Sequence, residues 1–195
     1  MNPLHIYWPF KPFTVTQRWG NPNAAYAAQF NDPSFKLHNG IDAKPHLQDT
    51  SYPVYCPVEG FRVLSVDYQA NGGGNEIYLV SKAKYQMFDQ ECFALLILCH
   101  AEKVLVKPGY EPALGELLMI ADNTGFSTGP HTHMGLYRVA DPNNVGGSKL
   151  DKNDATGSFD PSLFFLGDFA ADNASLTALV KSNWRYYQYR LGLST

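Results

Sequence analysis

The apolar run from Phe93 to Cys99 is seven residues long, and a histidine follows it directly. That length falls far short of the ~20 residues that cross a bilayer as a helix. It suits a strand buried on both faces. The stretch from Cys92 to His100 therefore reads as a buried strand with His100 at its end. Around it, 16 glycines and 13 prolines separate other short apolar runs, a pattern of many strands and few helices. Val54 to Val58 and Gly60 to Val66 read as strands, as do Asn75 to Ser81, Val104 to Gly109, Leu117 to Ala121 and His131 to Val139. Lys82 to Glu91 is polar enough for a hairpin loop. Residues 1–20 form an extended lead-in, 21–36 a loop, 141–158 a polar surface loop, and Phe159 to Phe165 an apolar closing segment.

The end of the chain differs in character. Asp172 or Asn173 can cap a helix running from about Ala174 to Leu191, and Gly192 can end it. Leu176, Leu179, Val180, Trp184, Tyr187 and Leu191 fall roughly on one face of that helix. Its simplest role is to pack back on the body of the protein; the rival is a docking surface for an assembly partner or a second copy. With 195 residues, 45% of them hydrophobic, the chain can bury one good core rather than two. The expected organisation is one domain over residues 1–167 and a helical extension over 168–195.

Charge narrows the function. Only 17% of residues are charged and the formal net charge is -3, with no basic stripe. That argues against nucleic acid or an anionic membrane surface as partner. No stretch is long and apolar enough for a transmembrane helix, and the first residues carry neither a basic start nor an apolar stretch suited to an export signal. The three cysteines, Cys56, Cys92 and Cys99, are odd in number and lack C-x-x-C spacing, so they read as buried free thiols.

The chemistry is concentrated in five polar residues. His38 and Asp42 stand in Leu37-His38-Asn39-Gly40-Ile41-Asp42, and His131 and His133 in Gly129-Pro130-His131-Thr132-His133. The fifth is His100. Asp42 lies four residues after His38, a spacing that puts both on one face of a strand or a helical turn. His131 and His133, two apart, share a face if the segment is a strand. Two imidazoles and a carboxylate are a donor set that zinc takes at hydrolytic sites, leaving one position for water. Either pair alone is a weak signal. Both together, with glycine-rich turns beside them and a third histidine ending an apolar strand, point to a metal site. His5 and His46 read as surface histidines.

The order of these motifs resembles that of the lysostaphin-type (LytM-domain) zinc endopeptidases of peptidoglycan. The resemblance runs over about residues 13 to 165. It rests on His38-Asn39-Gly40-Ile41-Asp42, on Pro53-Val54 with the Gly60 turn, on Gly74-Asn75, on Leu98-Cys99-His100, on Val106-Lys107-Pro108-Gly109, and most specifically on Gly125 to His133. It implies a mainly β fold, with antiparallel sheets forming a half-open barrel or sandwich around a metal groove. It further implies His38, Asp42 and His133 as ligands of one zinc ion, and His131 and His100 as the unliganded catalytic histidines. Residues 21–36, 82–91 and 141–158 would supply the groove walls. Thr132 stands where the family usually has leucine and should face away from the metal.

On that resemblance the chain is a zinc-dependent hydrolase of cell-wall peptide cross-links or stem peptides. It would act in the bacterial wall, the periplasm or outside the cell. His131 would be the general base, with His100 holding the water or stabilising the tetrahedral intermediate; the two roles are interchangeable at this level. A start without an export signal favours a phage lysin or virion-borne wall hydrolase. The alternative is a catalytically silent LytM-like binding or regulatory module, which the retention of all five residues disfavours.

Overall fold

The computed structural model describes residues 2–10, 13–22, 37–88, 90–143 and 158–168. Within them the chain is almost entirely strand and connecting turn. The strands are β1 (Ile6–Trp8), β2 (Phe13–Gln17), β3 (Ile41–Pro45), β4 (Tyr52–Tyr55), β5 (Phe61–Gln69) and β6 (Gly74–Ser81). There follow β7 (Tyr85–Met87), β8 (Gln90–Val104), β9 (Leu117–Ala121), β10 (Thr132–Val139), β11 (Ser158–Phe159) and β12 (Phe165–Asp168). The helical element among the described residues is one 3-10 turn, Pro161–Phe164, capped by the Asp160 carboxylate accepting from the Ser162 N–H. The expected helix from Ala174 to Leu191, and with it the extension over 168–195, lies outside the described residues but for Asp168. So do most of the expected loops at 21–36 and 141–158.

Ten strands make one sheet, whose spine runs β2-β3-β10-β8-β6-β5; β4, β7, β9 and β11 pair alongside it. Neighbours along the spine are antiparallel. The spine ends at β2 and β5, so the sheet is open rather than a closed barrel. β1 and β12 form a separate parallel pair, with the Trp8 ring stacked between Phe13 and Phe165.

β8 is the long apolar strand, and its lack of alternation has a direct cause. Ala94, Leu96 and Leu98 enter the main core with Ile77, Leu79, Met134 and Leu136. Leu95, Ile97 and Cys99 enter a second cluster on the opposite face with Tyr78, Val80, Tyr137 and Val139. A strand buried on both faces has no use for polar residues. On β10 the same division sends Met134 and Leu136 to the main core and Tyr137 and Val139 to the second face. Period-two alternation then places His133 on that second face.

Three sequence expectations need correcting. Val104 to Gly109 is not a strand: β8 ends at Val104, and Pro108 and Gly109 (φ +84°) turn the chain. That turn docks on β5, with the Gly109 N–H donating to the Val63 carbonyl and the Val63 N–H to Tyr110. The strand expected over Val54 to Val58 spans Tyr52–Tyr55 instead, because the Cys56 N–H donates to the Glu116 carbonyl and its own carbonyl accepts from the Gly115 N–H, outside the ladder, and Pro57 has no N–H to offer. Lys82 to Glu91 is more than a loop, since Tyr85–Met87 pairs back on Gln90–Cys92. The three cysteines are thiols, Cys56 and Cys99 buried and Cys92 half-buried.

Candidate metal centre

Strand register brings the two motifs together. Asp42 on β3 is the direct antiparallel partner of His133 on β10, and opposite residues share a face with Cβ atoms about 5 Å apart. His38 precedes β3 in a loop pinned from both sides. Its N–H donates to the Asn21 carbonyl (2.9 Å) and its own carbonyl accepts from the Gly20 N–H (2.7 Å). Its ring Nδ1–H donates to the carbonyl of Arg18, just past β2, at 3.0 Å. A carbonyl can only accept, so Nε2 carries the lone pair of the neutral ring.

Three donor atoms then converge. His38 Nε2 lies 3.1 Å from Asp42 Oδ1, His133 Nδ1 lies 2.8 Å from the same oxygen, and the two nitrogens are 3.0 Å apart. Zinc bonds of about 2.0–2.2 Å place tetrahedral donors roughly 3.3 Å from one another. The triangle is close to that size, and the three residues are 8% exposed or less. Two imidazoles and a carboxylate crowded on one point form a group that could hold a metal ion.

The other two histidines stand beside this triangle. His131 Nδ1–H donates to the Gly129 carbonyl (2.9 Å), with the Ser127 hydroxyl at 3.2 Å. Its Nε2 sits 3.6 Å from Asp42 Oδ2, and it is a buried polar atom with no hydrogen-bond partner. A buried orphan of this kind is costly unless something occupies the space in front of it. A water held at a metal on the triangle would satisfy it, so the residues present fit such a group.

His100 reaches the site through an irregularity in β8. Leu98 and Ala101 both lie in the main core although they are three residues apart, so one residue is extra, as in a β-bulge. That residue is His100, with φ +67°, a left-handed conformation uncommon outside glycine. The bulge is fixed by the His100 N–H donating to Gly73 (2.7 Å) and its carbonyl accepting from Asp122 N–H (2.9 Å). The ring then lies 4.5 Å from the His131 ring, centroid to centroid. Its Nδ1–H donates to the Thr124 carbonyl (2.8 Å), which leaves the lone pair on Nε2. Asp122 serves both histidines, since its carbonyl also accepts from the His131 N–H (3.2 Å).

Electrostatics follow from burial and proximity. Burial alone would raise the Asp42 pKa, but hydrogen bonds and charges from His133 and His38 outweigh it and hold the carboxyl far below the usual range. Burial, and then the neighbouring His131 and His133, push His100 down to about 3; burial also lowers His133. His100 is therefore a neutral imidazole near pH 7. A group held neutral in the fold, with an ordinary value of 6.5, contributes stability that is complete above pH 6.5 and fades as pH falls towards 3. In zinc-free protein the His100 share of that loss between pH 7 and 4.5 is expected to be about 2–3 kcal/mol. Urea unfolding of wild type and His100→Gln at both pH values measures it: the variant should show a shallower acid limb.

Gly40 makes the close approach possible. A Cβ there would lie 2.5 Å from the Met134 carbonyl oxygen and 2.6 Å from Cε1 and Nε2 of His133. Backbone cannot yield to that, so Gly40→Ala should push the His133 ring out of the triangle. The expected result is a loss of about 1–3 kcal/mol of stability together with weakened metal binding, read by thermal melts with and without zinc. Thr132, as expected, faces the other way, its hydroxyl 2.9 Å from that of Tyr52.

All five residues singled out in the sequence thus meet in one place; His5 and His46 do not join them, His46 being 2.9 Å from the Thr14 hydroxyl. What the sequence reading missed are the supports: the Arg18, Thr124 and Gly129 carbonyls, the Ser127 hydroxyl and the Asp122 backbone. Every residue has a carbonyl, so nothing in a sequence marks the backbone supports, whereas Ser127 lies within the Gly125 to His133 motif without its contact being marked.

No family model matches the chain. Over 96 residues, 49% of the chain, it is 38% identical to an uncharacterized metalloprotease of Haemophilus influenzae. The chain spans 18% and 34% of the lengths of the curated metalloproteases it matches. Among solved structures, the catalytic domain of the antimicrobial peptidase lysostaphin from Staphylococcus simulans aligns with TM-score 0.56 at 20% identity, over 78% of this chain and 91% of that one. A zinc-containing peptidase from Vibrio cholerae aligns with TM-score 0.55 at 19% identity, over 82% of this chain and 39% of that one. The resemblance carried by the motifs extends to the described fold, which is that of the lysostaphin-type peptidase domains.

Proposed function

We propose that this chain is a zinc-dependent endopeptidase acting on the peptide portion of bacterial peptidoglycan, with residues 1–167 as its catalytic domain. The observation that carries the reading is the orphaned, buried His131 Nε2 facing a triangle of two imidazole nitrogens and a carboxylate oxygen. His38, Asp42 and His133 would hold one zinc ion, which supplies Lewis acidity and a water whose pKa is brought to about 7.

The chain's own groups do the rest. His131 takes the water proton at Nε2, the nitrogen its Gly129 contact leaves as acceptor. That proton sits within reach of Asp42 Oδ2, 3.6 Å away, whose charge stabilises the imidazolium that forms. His100 is neutral at working pH, and its Nε2 accepts a hydrogen bond from the same water, orienting it for attack on the peptide carbonyl. The protonated His131 then delivers its proton to the leaving amine, as microscopic reversibility requires of one acid–base group.

The choice of peptidoglycan rests on the resemblance to the lysostaphin-type family. The earlier expectation of a phage or virion source has no support in the fold or in the relatives and forms no part of this reading. The test is mass spectrometry of fragments released from purified walls of defined cross-bridge type. New peptide amino termini at a single bond support the reading; intact stem peptides and bridges contradict it. Unchanged walls that nonetheless retain the protein would favour the silent binding module.

A further inference from the structure

A metal-bound imidazole is normally steadied through its second ring nitrogen, which donates to a carboxylate, a backbone carbonyl or water. For His133 the donor facing the triangle is Nδ1, so Nε2 is the nitrogen in need of support. It lies between two glycines. A Cβ on Gly40 would be 2.6 Å from it, and a Cβ on Gly135 would be 3.5 Å from it. The same point at Gly135 lies 3.0 Å from Tyr137 Cε2 and 3.2 Å from the Tyr137 hydroxyl. Tyr137 therefore folds back along β10 over the bare backbone of Gly135, towards the outer edge of the His133 ring.

Its hydroxyl is fixed from the other motif. Asn39 Nδ2 donates to Tyr137 Oη at 3.0 Å. Asn39 sits between His38 and Asp42, while Tyr137 sits four residues past His133 on the strand that carries it. The Asn39–Tyr137 bond is a brace joining the two halves of the metal centre, and Tyr137 itself is 2% exposed.

We infer that Tyr137 and Asn39 are positioning residues of the metal centre, with the Tyr137 phenol as the outer support of the His133 imidazole and Gly135 as the gap that lets it approach. The inference rests on the metal-centre reading. It makes the two residues a coupled pair: removing either the phenol oxygen or the amide should release the same brace.

The test is the zinc dissociation constant of the full chain, measured by competition with a chromogenic chelator, alongside the melting temperature of the zinc-free protein. Tyr137→Phe and Asn39→Ala should each weaken zinc binding by about 10-fold, within the ~10–100-fold range for outer supports. The double variant should be no weaker than the worse single one, as befits one shared interaction. Asn39→Gln, which can present an amide again, should recover part of the affinity. Wild-type affinity in both single variants would overturn the inference. So would a fall in zinc-free melting temperature with affinity unchanged, which would make the brace merely structural. Failure of the wild-type chain itself to bind zinc would overturn the metal-centre reading, and this inference with it.

Discussion

Asp42→Ala is expected to abolish zinc binding and to lower wall hydrolysis by on the order of 10³-fold or more, the scale at which a metal-dependent reaction loses its metal. Asp42 is the hub of the site: its Oδ1 meets His38 and His133 at 3.1 and 2.8 Å, and its Oδ2 meets His131 at 3.6 Å. Alanine takes away the negative charge that makes two buried imidazoles and a divalent cation compatible. His38→Ala should act in the same way, removing one corner of the triangle while leaving Arg18 without its ring partner. Zinc content after dialysis, turbidity clearance and a circular-dichroism control for folding measure the effect. Retention of one equivalent of zinc by either variant would break the assignment of the triangle.

His131→Ala is expected to keep zinc and lose between ~10² and 10⁴ in turnover, the usual contribution of a positioned acid–base group. The distinction rests on placement. His133 puts Nδ1 into the triangle, whereas His131 puts Nε2 at its open side, 3.6 Å from the far carboxylate oxygen. Near-normal turnover in the variant would shift the base role to His100. Loss of the metal would mean that the two neighbouring histidines had been assigned the wrong way round.

The legible part of the site was its donor chemistry. Five side chains of the right type stood in short motifs, and strand alternation plus one register, Asp42 opposite His133, was enough to gather three of them. The central strand was legible for a similar reason, since burial on both faces leaves an unbroken apolar run. What stayed hidden depended on backbone. Period-two alternation sends His100 into the main core, and only the bulge at φ +67° turns it towards the site. That bulge relies on the Gly73 carbonyl and the Asp122 backbone, groups no side chain announces. Val104 to Gly109 failed as a strand because an apolar trio preceding Pro108 and Gly109 serves a turn docked on β5 as well as it would serve a ladder. The Asn39–Tyr137 brace was invisible because it joins residues 98 apart, through a glycine whose role is to be small.

Metal-dependent cleavage of the cell wall is the central property to test. The direct measurement is turbidity of purified walls under the full chain, first as prepared, then after a chelator, then after zinc is restored. Clearance that stops with the chelator and returns with stoichiometric zinc, and that Asp42→Ala never shows, is the predicted result. Clearance indifferent to the chelator, or none in zinc-loaded protein on walls of any cross-bridge type, would contradict it.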